Sequence, residues 1–123
     1  MYLNKAPAVL SIVFASLFLI APATAEDISG KWITRTDVVT VTMIFRVDGT
    51  TLTGTVQTRQ TDKTDIFDGK VNGDKISFYI MRGPNNNRLK VRFEGIVRGD
   101  EIEFIRESNG SEIKMLAKKA QVN

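Results

Sequence analysis

The sequence predicts an all-β protein, folded as one eight-stranded antiparallel up-and-down barrel. Three observations carry that expectation. The stretch Asp68-Gly69-Lys70-Val71-Asn72-Gly73-Asp74-Lys75-Ile76-Ser77-Phe78 returns 26 residues later as Glu94-Gly95-Ile96-Val97-Arg98-Gly99-Asp100-Glu101-Ile102-Glu103-Phe104, with six of eleven positions identical. A looser copy, Val47-Asp48-Gly49-Thr50-Thr51-Leu52, lies upstream. Each copy reads as a strand end, a tight turn and a strand start, since Asn-Gly or Asp-Gly between apolar alternations signals a hairpin. The second observation is periodicity: apolar residues recur at every second position between the turns, and no segment beyond residue 25 shows helical spacing. The third concerns glycines inside the strands. Taking Asn72-Gly73 as a two-residue loop pairs Val71 with Asp74 and Gly69 with Ile76. The same register sets Gly95 opposite Ile102 and Phe45 opposite Leu52. A glycine facing a bulky residue suits a bent sheet that closes on itself. Two ordinary hairpins in an open sandwich are the alternative.

Residues 1–25 stand apart from this pattern. Lys5 gives a positive start, Ala8 to Ala21 is apolar except for Ser11 and Ser16, and Ala23-Thr24-Ala25 fits a small-residue cleavage site. These features predict a secretory signal peptide, with an apolar run short for a membrane span. No cysteine follows it to take a lipid anchor. The expected organisation is a leader over 1–25 and a single barrel domain over 26–123, secreted or periplasmic, with no stable membrane anchor after cleavage.

The strands follow in order. Gly30 to Thr36 opens the barrel. Val39 to Val47 puts Val39, Val41, Met43, Phe45 and Val47 on one face. Asp48-Gly49 turns into Thr51 to Arg59, with Leu52, Gly54 and Val56 inward. Thr61 to Asp65 is polar and reads as a loop. Ile66 to Val71 and Lys75 to Met81 form the central hairpin. Gly83-Pro84-Asn85-Asn86-Asn87 is a loop, because proline interrupts a ladder and asparagine favours turns. Arg88 to Val97 alternates most cleanly, with Leu89, Val91, Phe93, Gly95 and Val97 opposed to Arg88, Lys90, Arg92, Glu94 and Arg98. Glu101 to Arg106, a turn at Asn109-Gly110, and Glu112 to Lys119 complete eight strands. Closure removes vulnerable sheet edges, so a meander of short strands favours a barrel. The three tight glycine turns then share one end, and the longer links share the other, open end. The expected inward set is Phe45, Phe67, Phe78, Phe93 and Phe104 with Leu52, Ile76, Ile80, Leu89, Val91 and Ile102. Eight strands enclose a space that side chains nearly fill, or that holds one small ligand.

Gly30-Lys31-Trp32 at the first strand, followed by eight meandering strands, resembles the calycin group of lipocalins, fatty-acid-binding proteins and avidins. The repeated Val-x-Gly-Asp-x-Ile-x-Phe hairpins are similar to small bacterial secreted domains of that shape, including modules attached to secreted carbohydrate-active enzymes. The likeness spans Gly30 to Lys119, although this chain has no room for the helix that packs beside a typical lipocalin barrel. It implies that Gly30, Trp32 and Lys119 close the barrel, the lysine lying over the indole.

Composition narrows the chemistry. There is no histidine and no cysteine, so the familiar triads and the His- or Cys-based metal sites are excluded. Asp68 with Glu94 and Asp74 with Asp100 are carboxylates at equivalent repeat positions, but turn-flanking aspartates ordinarily hold backbone N–H groups. No catalytic residue, cofactor or metal is expected. The 17 basic and 14 acidic residues are interspersed, which argues against a nucleic-acid partner. Arg35, Arg59, Arg82 and Arg88 gather near the open rim, and arginine forks suit carboxylates and other anions. The expected function is non-enzymatic binding of a small apolar or amphipathic anionic ligand. Phe45, Phe78, Phe93 and Phe104 would contact its apolar body. The alternative is a filled barrel that meets a protein partner or a second copy through outward Ile33, Ile44, Ile96 and Ile105.

Overall fold

A computed structural model describes residues 28–59 and 63–121. The leader expected over 1–25 and residues 60–62, which include the start of the expected polar loop, lie outside the described residues. The elements are β1 (Gly30–Arg35), β2 (Thr40–Asp48), β3 (Thr51–Gln57), β4 (Lys63–Asp65), β5 (Phe67–Asn72), β6 (Lys75–Arg82), β7 (Leu89–Arg98), β8 (Glu101–Ser108) and β9 (Ser111–Lys119). Ladder pairing runs antiparallel from β1 through β2 to β3, then through β5 to β6, β7, β8 and β9. The last strand returns to the first through Trp32 opposite Lys119 and Ile33 opposite Lys118. The result is the expected closed, calycin-like antiparallel barrel of eight strand positions, with β4 and β5 sharing the fourth.

The hairpins keep the expected faces but not the expected partners. Asn72 pairs with Lys75 and Val71 with Ile76, so the two-residue loop is Gly73-Asp74 and not Asn72-Gly73. Likewise Val97 meets Ile102, Gly95 meets Phe104, and Val47 meets Leu52. Each loop thereby begins on a glycine: Gly49, Gly73 and Gly99 have φ of 66, 64 and 65°. A primed hairpin turn needs positive φ at its first central residue, and glycine adopts it without a Cβ penalty. The whole register moves by two residues, which leaves side-chain parity intact. Only Asn109-Gly110 uses the asparagine in the loop itself, with φ of 55 and 83°.

The fourth strand departs further. Lys63–Asp65, part of the expected loop, pairs with Thr55–Gln57 as β4. Between Phe67 and Lys70 the β5–β6 register slips, Phe67 facing Tyr79 and Lys70 facing Ser77. One extra residue is accommodated there, and Asp68 takes φ of 54°. A bulge reverses parity across itself. Phe67, expected inward, therefore lies on the outer wall, 41% exposed, and Ile66 fills the interior at 8%. Leu89 has the expected parity but sits at the open end, where it is 43% exposed.

The interior is a packed aromatic and aliphatic core. Phe78 stacks on Phe93 at 4.9 Å between centroids and meets Phe45 and Phe104 edge-on at 5.6 and 6.1 Å. Phe93 and Phe104 close the cluster at 6.0 Å. Leu52, Ile76, Ile80, Val91, Ile102, Val56, Met43 and Trp32 are buried around it. Burying each large apolar side chain contributes roughly 1.5–3 kcal/mol. The buried apolar core as a whole, with the aromatic cluster at its centre, thus stabilises a domain without disulfides.

Candidate functional site at the open end of the barrel

The tight turns after β2, β5 and β7 occupy one end, together with the start of β1 and the end of β9. Trp32 belongs to this closed side. It is fully buried, its indole N–H donates to the Ile28 carbonyl at 2.7 Å, and Lys119 Nζ stands 5.6 Å from its ring centroid. A cation at that range contributes about 0.5–1 kcal/mol where water reaches it. Gly30 holds φ of 128°, and a side chain there would meet the Lys119 stem at 3.5 Å. The three residues therefore adjoin one another beside the β1–β9 seam.

At the opposite end the inward parity turns polar. On β6 the run Ile76, Phe78, Ile80 ends in Arg82, and on β8 the run Ile102, Phe104 ends in Arg106. Arg82 lies across from Leu89, and Arg106 lies between Phe93 on β7 and Ile113 on β9. Both arginines are half-buried. Burial, and then repulsion from Arg82, lowers the Arg106 pKa below the ordinary arginine value. Two like charges brought close together at a partly buried position make the space beside Arg106 favourable to an anion. On β1, opposite Val41, Thr34 is 2% exposed and its Oγ1 has no hydrogen-bond partner among the described residues. Leu89 and Ile113, 43% and 51% exposed, border the arginines with apolar surface.

Of the four arginines expected at the rim, only Arg82 points into the mouth. Arg35 at the end of β1, Arg59 beyond β3 and Arg88 before β7 are exposed. Phe45, Phe78, Phe93 and Phe104 are brought together, but on one another, in the core beneath the arginines. Arg106 was not anticipated as a site residue. Its signal was present, because Ile102, Phe104 and Arg106 continue a single two-residue period into a basic residue.

Among the described residues no cluster of acidic side chains could hold a metal ion, and no helix is long and apolar enough to cross a membrane. No family model matches the chain, and no curated protein matches it. Among solved structures it is similar to the REP1-NXSQ fatty acid transporter, at 14% identity and a TM-score of 0.54, over 80% of this chain and 100% of the other. A secretary abundant heat soluble (SAHS) protein from Ramazzottius varieornatus aligns at 15% identity and a TM-score of 0.47, over 80% and 99% of the two chains. The first likeness shows the fold alone, in agreement with the strand topology.

Proposed function

We propose that the protein is a non-enzymatic binding protein for a small amphipathic anion, working in the periplasm or outside the cell. The observation that carries this reading is the half-buried pair Arg82 and Arg106 on the inward face of the open end. The acidic head would lie between the two guanidinium groups. The apolar body would lie against Leu89 and Ile113, with Phe78 and Phe93 as its floor. The core is tightly filled, so a long chain would enter only as the aromatic cluster parts. Secretion rests on the leader expected over residues 1–25. A fold shared with a fatty acid transporter is compatible with this cargo.

The test uses anilinonaphthalene sulfonate, an amphipathic anion whose emission rises on desolvation. A long-chain carboxylate is expected to displace it and the matching alcohol is not. Replacing Arg82 and Arg106 together by serine should weaken binding about tenfold or more, a loss of roughly 1.4 kcal/mol. Replacing the exposed Arg35 and Arg59 should change it less than about twofold. Unchanged affinity in the Arg82/Arg106 variant removes the pair from the site.

A second reading, a filled barrel with a protein partner, is favoured by the outer wall. Ile44 and Ile105 are 44% and 41% exposed. A concavity of about 860 Å³ lies over β6 to β9, lined by Ile96, Ile105 and Leu116 among Lys75, Lys114, Glu94 and Glu103. Native mass spectrometry of protein from its own host distinguishes the two readings by the mass retained.

A further inference from the structure

A different part of the outer wall carries a concentration of chemistry that the mouth does not use. Lys90 and Arg92 alternate with buried Val91 and Phe93 on β7, so they project outward, and Arg88, just before β7, is exposed. Cations at every second residue stand about 7 Å apart along a strand. Across the sheet Met81 faces Lys90, Tyr79 faces Arg92, and Phe67 faces Tyr79. Phe67 and Tyr79 stack at 5.5 Å with their planes 26° apart, and Lys90 Nζ lies 4.2 Å from the Tyr79 centroid. Because β5 and β7 flank β6 on opposite sides, both faces of the Tyr79 ring are occupied. Phe67 is 41% exposed. The acids nearest in register are Glu107, opposite Arg92, and Glu94, two residues farther along β7. Yet among the described residues the ion pairs are Lys70–Asp68, Arg98–Glu103 and Lys118–Glu101, and none uses Arg88, Lys90 or Arg92.

We propose that this wall, Arg88-x-Lys90-x-Arg92 beside the Phe67–Tyr79 stack, binds a linear acidic polysaccharide. The arginine forks would take successive carboxylates, and the exposed Phe67 ring would lie under a sugar ring. Single-stranded nucleic acid fits less well, since it needs several open ring faces on which successive bases stack. A bilayer fits less well too, because burial in the headgroup region needs a broad apolar face, and here the apolar groups sit among charges. The surface is separate from Arg82 and Arg106, so this inference stands or falls independently of the proposed cargo.

The experiment is affinity electrophoresis and fluorescence titration of the purified protein with polygalacturonate. The R88S/K90S/R92S variant is expected to bind about tenfold more weakly or worse, a change of 1.4 kcal/mol or more. The K31S/K75S/K114S variant, with the same loss of charge elsewhere, should stay within about twofold of the parent. Phe67→Ser should weaken binding while leaving its salt dependence unchanged, because it removes stacking and not charge. R82S/R106S should bind the polymer normally. Thermal melting establishes that each variant is folded. Equal losses in the two lysine- and arginine-depleted variants would reduce the effect to net charge and overturn the proposal, as would tighter binding of single-stranded oligothymidylate than of polygalacturonate.

Discussion

Three inward-facing residues bring polar groups into the barrel. Thr34 sits 2% exposed on a strand whose inward neighbours are apolar, and its Oγ1 is unsatisfied. A buried hydroxyl left without a partner costs about 1–3 kcal/mol. Thr34→Val, nearly isosteric, should therefore raise stability by about 1–2 kcal/mol, read as a higher urea midpoint at unchanged m-value. A lower midpoint would show that the hydroxyl is hydrogen-bonded in solution. Arg106 behaves in the same spirit. Its folded pKa is lowered, so its charge opposes folding at every pH below that value, and the opposition fades only as pH rises through it. An anion bound beside it offsets that opposition, which is why cargo binding and thermal stability should rise together. Arg82 was among the arginines that the sequence placed at the open rim. Arg106 could be read only by following its strand's alternation one step beyond the last phenylalanine.

At the scale of elements, the glycines divide into two kinds. Gly49, Gly73 and Gly99 open the tight turns, and a side chain added at any of them would meet nothing within 4 Å. Gly54 and Gly69 lie in the strands, where an added Cβ would sit 1.9 Å from the Ile44 carbonyl and 2.0 Å from the Leu52 carbonyl. Gly54 also holds φ of 152°. Gly54→Ala is expected to destabilise by about 3 kcal/mol or more, strain adding to overlap. Gly49→Asn should cost less than about 1 kcal/mol, since asparagine tolerates positive φ. Denaturant titration of both variants checks the contrast; similar losses would mean that the strand adjusts around Gly54. The turns were legible because hairpins depend on local residues. The bulge at Asp68 was not, because one inserted residue is recognised only against the strand opposite, and Phe67 changes face with it.

At the scale of the molecule, the barrel has two narrow seams. β1 meets β9 through two register pairs, and β3 meets β5 through two, Thr51 with Lys70 and Leu52 with Gly69. The β6–β7–β8–β9 ladders are continuous, with eight register pairs at each junction. Local opening follows the weakest pairing. Amide hydrogen exchange should therefore show early exchange at the β3–β5 and β1–β9 junctions and late exchange in β7 and β8. Uniform protection around the barrel would refute a seam-limited opening. The Trp32–Lys119 contact and the Ala120 N–H donating to the Lys31 carbonyl at 2.8 Å reinforce the first seam. Beside its two pairs the second is joined by Ile66 N–H donating to the Gly54 carbonyl at 3.0 Å and Val71 N–H donating to the Thr50 carbonyl at 2.9 Å.

By itself the sequence determined the class of fold, the alternation of faces, the end at which the tight turns gather and the absence of histidine and cysteine chemistry. These follow from local rules: turns need particular residues, and strand side chains alternate whatever the register. The tertiary structure alone decided which residues oppose one another, that Phe67 faces water, that the phenylalanines pack on each other, and that Arg106 joins Arg82. Those outcomes depend on how strands meet across the barrel, where one inserted residue or a two-residue shift in pairing changes a side chain's neighbours without leaving a mark on its own strand.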